Sequence, residues 1–261
     1  MEIVFKNYKY KDNNLNFTIE NKEINGIITD NIEEIVDIIK LKLKYNGKVV
    51  IDGETIKDPI KYKNKINIVP DEIDNSIHFQ TVYAFLENEI LKRKISPKNL
   101  EKKVEDSLKV VGLKSNILDR NIYTLSCYEK KFVQVAKALL SNPDLLILIE
   151  PFKVLDKNNK KKLMMLLEKI KDNYNKSIII IDNNVNYIYY YTNHLIVFFN
   201  NKIVIEGKTF DILTNIDFLN KNKIDIPDIV EITYLAYKKK KIKIDYHKDI
   251  RDIIKDIYKH V

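Results

Sequence analysis

Two carboxylates six residues apart, Glu150 and Asp156, are the first candidates for acid–base chemistry in this sequence. They flank the turn-forming stretch Pro151–Leu155. A second candidate is Ser126, with Glu129 three residues on. That spacing offers a hydroxyl at a helix N-terminus, where an anion is favoured, and equally a capping box in which serine and glutamate satisfy each other's backbone amides. The sole cysteine, Cys127, has no metal-ligand neighbours and reads as a plain thiol. His78, His194, His247 and His260 are scattered, with neither a zinc spacing nor a serine-type triad. Tyr187, Tyr189, Tyr190 and Tyr191 could stack on bases, but their spacing better suits a half-buried helix face. There are only 5 glycines in 261 residues, few for an α/β chain of this length.

Elements that would position these residues follow from periodicity. Ile3–Phe5, Phe17–Ile19 and Ile24–Ile28 read as strands, with a turn at Asn13-Asn14. From Asn31 to Lys44 the apolar residues Ile32, Ile35, Val36, Ile39 and Leu43 recur at helical spacing, with Asp30 or Asn31 as cap. A strand, Lys48–Ile51, closes at Asp52-Gly53. Three helices are expected over Thr81–Ile90, Asn99–Val111 and Glu129–Leu140. Leu145–Ile149 and Ser177–Ile181 are almost wholly apolar, as strands buried on both faces of a parallel sheet must be. A helix over Asn158–Ile170 lies between them, and a helix through Tyr187–Tyr191 leads to a hairpin-like pair, Leu195–Phe199 and Lys202–Glu206. This alternation predicts a parallel α/β sheet with right-handed crossovers. From Asp211 onward the chain reads as a helical appendage.

The net charge of +8 comes from lysines dispersed among acids, and Lys238–Lys241 is the one basic block, so no nucleic acid is expected. The single cysteine suits a reducing compartment. No segment reaches the length of a membrane span, and the first ten residues lack a signal-peptide core. A cytoplasmic protein is expected, reaching a membrane by docking on a partner.

Four strings in order carry a family resemblance: Lys48–Gly53; Leu125-Ser126 opening a helix that runs into Ser141–Leu148; Glu150-Pro151 with Val154-Leu155-Asp156; and Asn201–Gly207. Together they resemble the ABC transporter ATP-binding domain over most of residues 1–210. The strings Asp74–Tyr83 and Lys223–Glu231 are similar to the coupling-subunit docking region and the C-terminal segment of energy-coupling factor ATPases. The resemblance implies a parallel-sheet core with an antiparallel β subdomain and a helical subdomain at about residues 80–140. Residues 211–261 would form a small helical, dimerisation-like appendage.

Against that family the nucleotide motifs look degenerate. The phosphate loop matches Thr29–Val36, with Ile35 and Val36 where lysine and a hydroxyl are needed and with Asp30, Glu33 and Glu34 repelling phosphate. Ile149 stands at the metal-binding aspartate, Asp71 at the Q-loop glutamine and Asn183 at the switch histidine, while Cys127 and Tyr128 replace the signature glycines. By the resemblance Tyr10 would stack on adenine, although it also reads as a strand residue packed on the sheet. Glu150 would be a relic of the catalytic base. Ser126 and Asp156 would act in trans on a nucleotide held by another subunit, and both also read as helix caps. Asn75, Ile77 and Phe79 would dock on a membrane partner.

The implied molecule is a degenerate subunit of an energy-coupling factor-type importer, peripheral on the inner face of the membrane. It would pair with an intact ABC ATPase and couple it to a transmembrane subunit for vitamin or metal-ion uptake. It would bind no metal or cofactor of its own, sharing ATP and Mg through the partner. The alternatives are an ABC-fold scaffold or regulator without a transport role, one associated with nucleic acid, and a decaying gene.

Overall fold

The computed structural model describes residues 1–42, 46–56, 62–73, 81–94, 98–240 and 244–259, the side chains of 239 and 240 excepted. Asn75, Ile77 and Phe79, expected to dock on a membrane partner, lie outside the described residues. The expected mixed α/β architecture is present. Strands β1 (Ile3–Tyr10), β2 (Asn13–Ile19), β4 (Asn46–Ile51) and β5 (Glu54–Thr55) form an antiparallel sheet in the order β2-β1-β4-β5. The second sheet combines β3 (Ile24–Thr29), β6 (Ile66–Val69), β7 (Leu145–Ile149), β8 (Ser177–Ile181), β9 (His194–Phe199) and β10 (Lys202–Lys208). Its order is β10-β9-β3-β8-β7-β6, parallel throughout except for β10.

The side-chain alternation of strands splits the apolar runs between two cores. Leu145, Ile147, Ile179, Ile181, Ile27 and Ile196 face the antiparallel sheet and helix α1 (Ile32–Ile39). Leu146, Leu148, Ile178, Ile180, Ile28 and Val197 face the helices on the other side. That is why β7 and β8 carry no polar alternation. Gly26 sits where β3 passes the helix Val185–Tyr191, and a Cβ there would lie 2.8 Å from the Thr192 hydroxyl.

On the helical side α2 (Val82–Lys92), α3 (Leu100–Val110) and α4 (Cys127–Leu139) form one layer around Leu86, Leu108 and Val133. Helix α5 (Lys157–Tyr174) crosses from β7 to β8, and α6 (Val185–Tyr191) leads to β9. The appendage comprises α7 (Thr209–Leu213), α8 (Ile216–Lys221), α9 (Asp228–Lys240) and α10 (Ile250–Tyr258). Among the described residues no helix is long and apolar enough to cross a membrane.

Two elements depart from the sequence reading. Helix α1 stops at Ile39 instead of Lys44, because Leu41 takes a left-handed conformation and turns its side chain into the core. Strand β6 went unread, since Ile66-Asn67-Ile68-Val69 is four residues long and interrupted by an asparagine.

Candidate functional site

β3, β8 and β7 end side by side at the C-terminal edge of the parallel sheet, with α1 and α5 following β3 and β7 in the chain, and Cys127 at the start of α4 shares a cleft with Asp71 and Val154. The register pairs Ile149 with Ile181, so the next residues along, Glu150 and Asp182, leave the sheet together. Glu150 does so with a left-handed backbone (φ 40) and donates its N–H to the Ile181 carbonyl at 2.9 Å. Its carboxylate pairs with Lys153 Nζ at 2.9 Å, and that hydrogen bond raises the lysine's pKa. Ile149 ends β7 and packs, partly buried, against the core shared with the antiparallel sheet.

Only Asp30 and Asn31 separate the end of β3 from the start of α1. Three amides here have partners within the chain. Thr29 N–H donates to Asn183 Oδ1 at 3.1 Å, Asn31 N–H to Thr29 Oγ1 at 3.0 Å, and Glu34 N–H to Asn31 Oδ1 at 3.1 Å. Asp30 accepts the Asn200 N–H at 2.9 Å. Ile35 and Val36 are buried in the helix interior. Lys11 bridges Glu34 and Asn201 Oδ1, joining the β1–β2 turn to α1 and to the β9–β10 turn. Tyr10, beside that bridge, is buried, with the Lys11 ammonium 5.3 Å from its ring centroid. Burial first, and then Glu34, raises its phenol pKa. Tyr10 is thus a packed strand residue.

At the start of α4 the capping box is complete. Ser126 Oγ accepts from Glu129 N–H at 3.2 Å, and Glu129 Oε2 accepts from Ser126 N–H at 2.8 Å. The Ser126 amide, ahead of other contacts, pulls the Glu129 carboxyl below its ordinary range, and Arg120 adds to this at 2.8 Å. Ser126 and Cys127 are exposed. The Tyr128 ring lies 4.3 Å from that of Phe132. Asp156 is exposed at the N-terminus of α5, where it accepts from Asn159 N–H at 2.9 Å, a bond that lowers its pKa.

Two buried groups at this edge escaped the sequence reading. Asp182 is 6 % exposed; Oδ1 accepts from Asn184 N–H at 2.9 Å, while Oδ2 is buried with no partner. Burial, with Glu150 adding repulsion, pushes its carboxyl up to about 6. Lys131, one turn into α4, is 2 % exposed, and burial pushes its ammonium down to about 8. It donates to the backbone carbonyls of Pro70 at 2.9 Å and Asp71 at 2.7 Å. Asp71 thus takes part through its backbone. The signal for Lys131 lay in its place on the same helix face as the apolar Val135 and Ala138. Among the described residues no group of three or more His, Cys, Asp or Glu side chains could hold a metal ion.

With this geometry in view, the comparisons with known proteins agree. A family model described as ABC transporter matches residues 34–153. The energy-coupling factor transporter ATP-binding protein EcfA2 of Mycoplasma mobile is 28 % identical over 251 residues, covering 92 % of this chain and 80 % of that protein. The molybdate/tungstate import ATP-binding protein WtpC of Pyrococcus abyssi is 30 % identical over 168 residues, covering 61 % of this chain and 47 % of that one. Among solved structures, cbiO1 of Clostridium perfringens, part of the ABC transporter complex cbiONQ, superimposes with a TM-score of 0.72 at 23 % identity, over 89 % of this chain and 98 % of that one. That likeness shows the fold. Residues 34–153 thus match the ABC transporter family, and the chain's relatives include ATP-binding subunits of energy-coupling factor transporters.

Proposed function

We propose that this chain is the degenerate half of an ATPase pair in an energy-coupling factor-type importer. An intact ABC ATPase would hold the nucleotide, and this chain would help deliver its closure to a transmembrane coupling subunit. The carrying observation is the two-residue connection between β3 and α1. A phosphate site at a helix N-terminus needs free backbone N–H groups and a cation. Here the amides of Thr29, Asn31 and Glu34 already donate to Asn183, Thr29 and Asn31. Asp30, Glu33 and Glu34 place negative charge at the same spot, and Ile35 and Val36 offer neither ammonium nor hydroxyl. At Ile149 no carboxylate is available for magnesium. The residues present do not fit Mg-ATP.

The magnitude follows from the count of lost contacts. Hydrogen bonds to a charged group contribute about 1.5–3 kcal/mol each. Removing three costs at least ~4.5 kcal/mol, which takes a micromolar site beyond millimolar because ~1.4 kcal/mol is tenfold. What remains for the chain to offer is exposed and made in trans. Ser126 and Asp156 stand at the N-termini of α4 and α5, where a partner's nucleotide would meet positive helix ends. Asn75, Ile77 and Phe79 would bind the transmembrane subunit, and residues 211–261 would contribute to pairing. The pair would sit on the inner face of the membrane. The cargo is proposed only as a vitamin or metal ion.

Isothermal calorimetry of the purified chain with Mg-ATP tests the reading. No binding heat is expected up to millimolar nucleotide. Micromolar binding would overturn the assignment of Thr29–Val36 as a disabled phosphate loop.

A further inference from the structure

At the edge of the parallel sheet opposite Glu150 and Asp182, a cleft of about 280 Å3 opens between α3, the C-terminal ends of α4 and α5, and the residues that lead into β8. Helix α3 presents two faces there. Val104 and Leu108 turn into the core. Lys103, Asp106, Ser107 and Val110, at the i, i+3, i+4, i+7 spacing of one helix face, line the cleft. The Ser107 hydroxyl donates to the Val104 carbonyl at 2.7 Å, so the polar group most buried on this face is already satisfied. Leu139 and Leu140, partly buried, and Tyr174, 44 % exposed, line the cleft as well and leave apolar surface uncovered.

Lys176 decides what could fill this space. Asn175 takes a left-handed conformation at the end of α5 and turns the chain back toward β8. Lys176 follows it and is 9 % exposed. Among the described residues its ammonium has no hydrogen bond: the carboxylate paired with it, Asp144, stays 3.9 Å away and also faces Lys65 at 3.3 Å. The carboxylate of Asp106, on the α3 side, pairs with Lys109 at 3.2 Å. A buried ammonium without a hydrogen-bonded counter-charge is costly, and an anion entering the cleft would relieve that cost. We propose that the cleft binds a small apolar monocarboxylate, with its carboxylate on Lys176 and its apolar body against Val110, Leu139, Leu140 and Tyr174. The size of the cleft lies near the lower end of small-molecule sites, about 300–1,000 Å3, which limits the body to a short alkyl chain or a single ring. Helices α4 and α5 both end at the cleft, and their negative poles disfavour a polyphosphate, which limits the ligand to a single charge. The inference goes beyond the proposed pairing and stands without it, since the cleft is formed by this chain alone.

Octanoate and phenylpropanoate, an alkyl and a single-ring acid, are the probes, with octanol as the uncharged control. In an amide NMR titration of the purified chain, at least one acid should shift the signals of Leu139, Leu140 and Tyr174 saturably at about millimolar concentration. Octanol should bind about tenfold more weakly or worse, the loss expected when one hydrogen bond to a charged group is removed. Lys176→Met, which keeps the length of the side chain and removes the charge, should weaken the acids by the same factor and leave octanol unchanged. The tighter of the two acids distinguishes an alkyl from an aromatic ligand. No saturable shift at the cleft with either acid would overturn the proposal. Octanol binding as tightly as octanoate would do so too, as would a folded Lys176→Met that binds the acids as the parent does. Should Lys176→Met fail to fold, Val110→Glu, at a partly buried position of α3, decides the matter: it should abolish binding of both acids, and retained binding removes the site. Calorimetric binding of Mg-ATP would leave this result untouched, so the two readings fail separately.

Discussion

Replacing Asp182 by asparagine should make the chain more stable at neutral pH than at acid pH, relative to the parent. Asp182 is buried, keeps one oxygen without a partner, and lies beside Glu150. Its carboxyl is pushed from 3.8 to about 6, burial being the larger cause. The folded chain therefore holds this proton more tightly than the unfolded chain. That contribution to stability is complete below the unfolded value and is lost as pH rises through about 6. Integrating the linkage for these two values between about pH 4.5 and about pH 7.5 gives a loss of about 2 kcal/mol. Asp182→Asn does not titrate and escapes it. Any constant offset from repacking or from the new amide is the same at both pH values and cancels in the comparison. With a urea slope of about 2–3 kcal/mol per molar, the midpoint difference between variant and parent should grow by roughly 0.7–1 M over that range. A midpoint difference independent of pH would refute the placement of Asp182 as a buried, strained acid.

Lys131 should show the opposite sign. Its pKa falls from 10.5 to about 8, so stability rises with pH above about 8, and between about pH 7 and pH 9 the linkage amounts to about 1.3 kcal/mol. Urea unfolding of Lys131→Met should lack that increment, whereas Lys137, pushed down to about 8 by burial as well, remains in both proteins and cancels. If the proposed ATPase pair is reconstituted, Ser126→Glu should abolish most ATP hydrolysis by setting a carboxylate against a phosphate held by the partner, and Glu150→Gln should change it little. The reverse pattern in a phosphate-release assay would mean that this chain's own half-site is the working one.

How much of this was legible in the sequence depended on whether an element announces itself locally. Leu145–Ile149 and Ser177–Ile181 did so, because a strand covered on both faces has no position at which a polar side chain is tolerated. Helix α4 did so through its capping box, whose two members are three residues apart. Strand β6 did not. Its asparagine looks like an interruption until Glu89, Ala138 and Ser141 supply the acceptors that make burial of Asn67 possible, and these lie 22, 71 and 74 residues away. The end of α1 was hidden for a related reason. Leu41 continues the apolar pattern that predicted more helix, yet it reaches the core from a left-handed turn.

At the site, residue types showed which side chains stand where but not which partners they meet. Ile35, Val36 and Ile149 were readable as positions without a cation, a hydroxyl or a metal ligand. The bond from Thr29 to Asn183 spans 154 residues and has no local signature. Yet one feature of the sequence already contained the answer in another form. The first N–H groups of a helix have no partner within it and must be met by an anion or by a cap. Asp30 or Asn31 was readable as a cap from its place before an apolar-periodic run, and the structure has Asn31 there. The Asn31 cap takes one of these donors, Glu34 N–H, while Asn31 N–H and Thr29 N–H are taken by Thr29 and Asn183. The cap at Asn31 and a bound phosphate would thus compete for the same helix end. The acidic residues that follow, Glu33 and Glu34, suit the same helix end for the reason that they repel the ligand: each occupies the positive pole that a phosphate would otherwise neutralise.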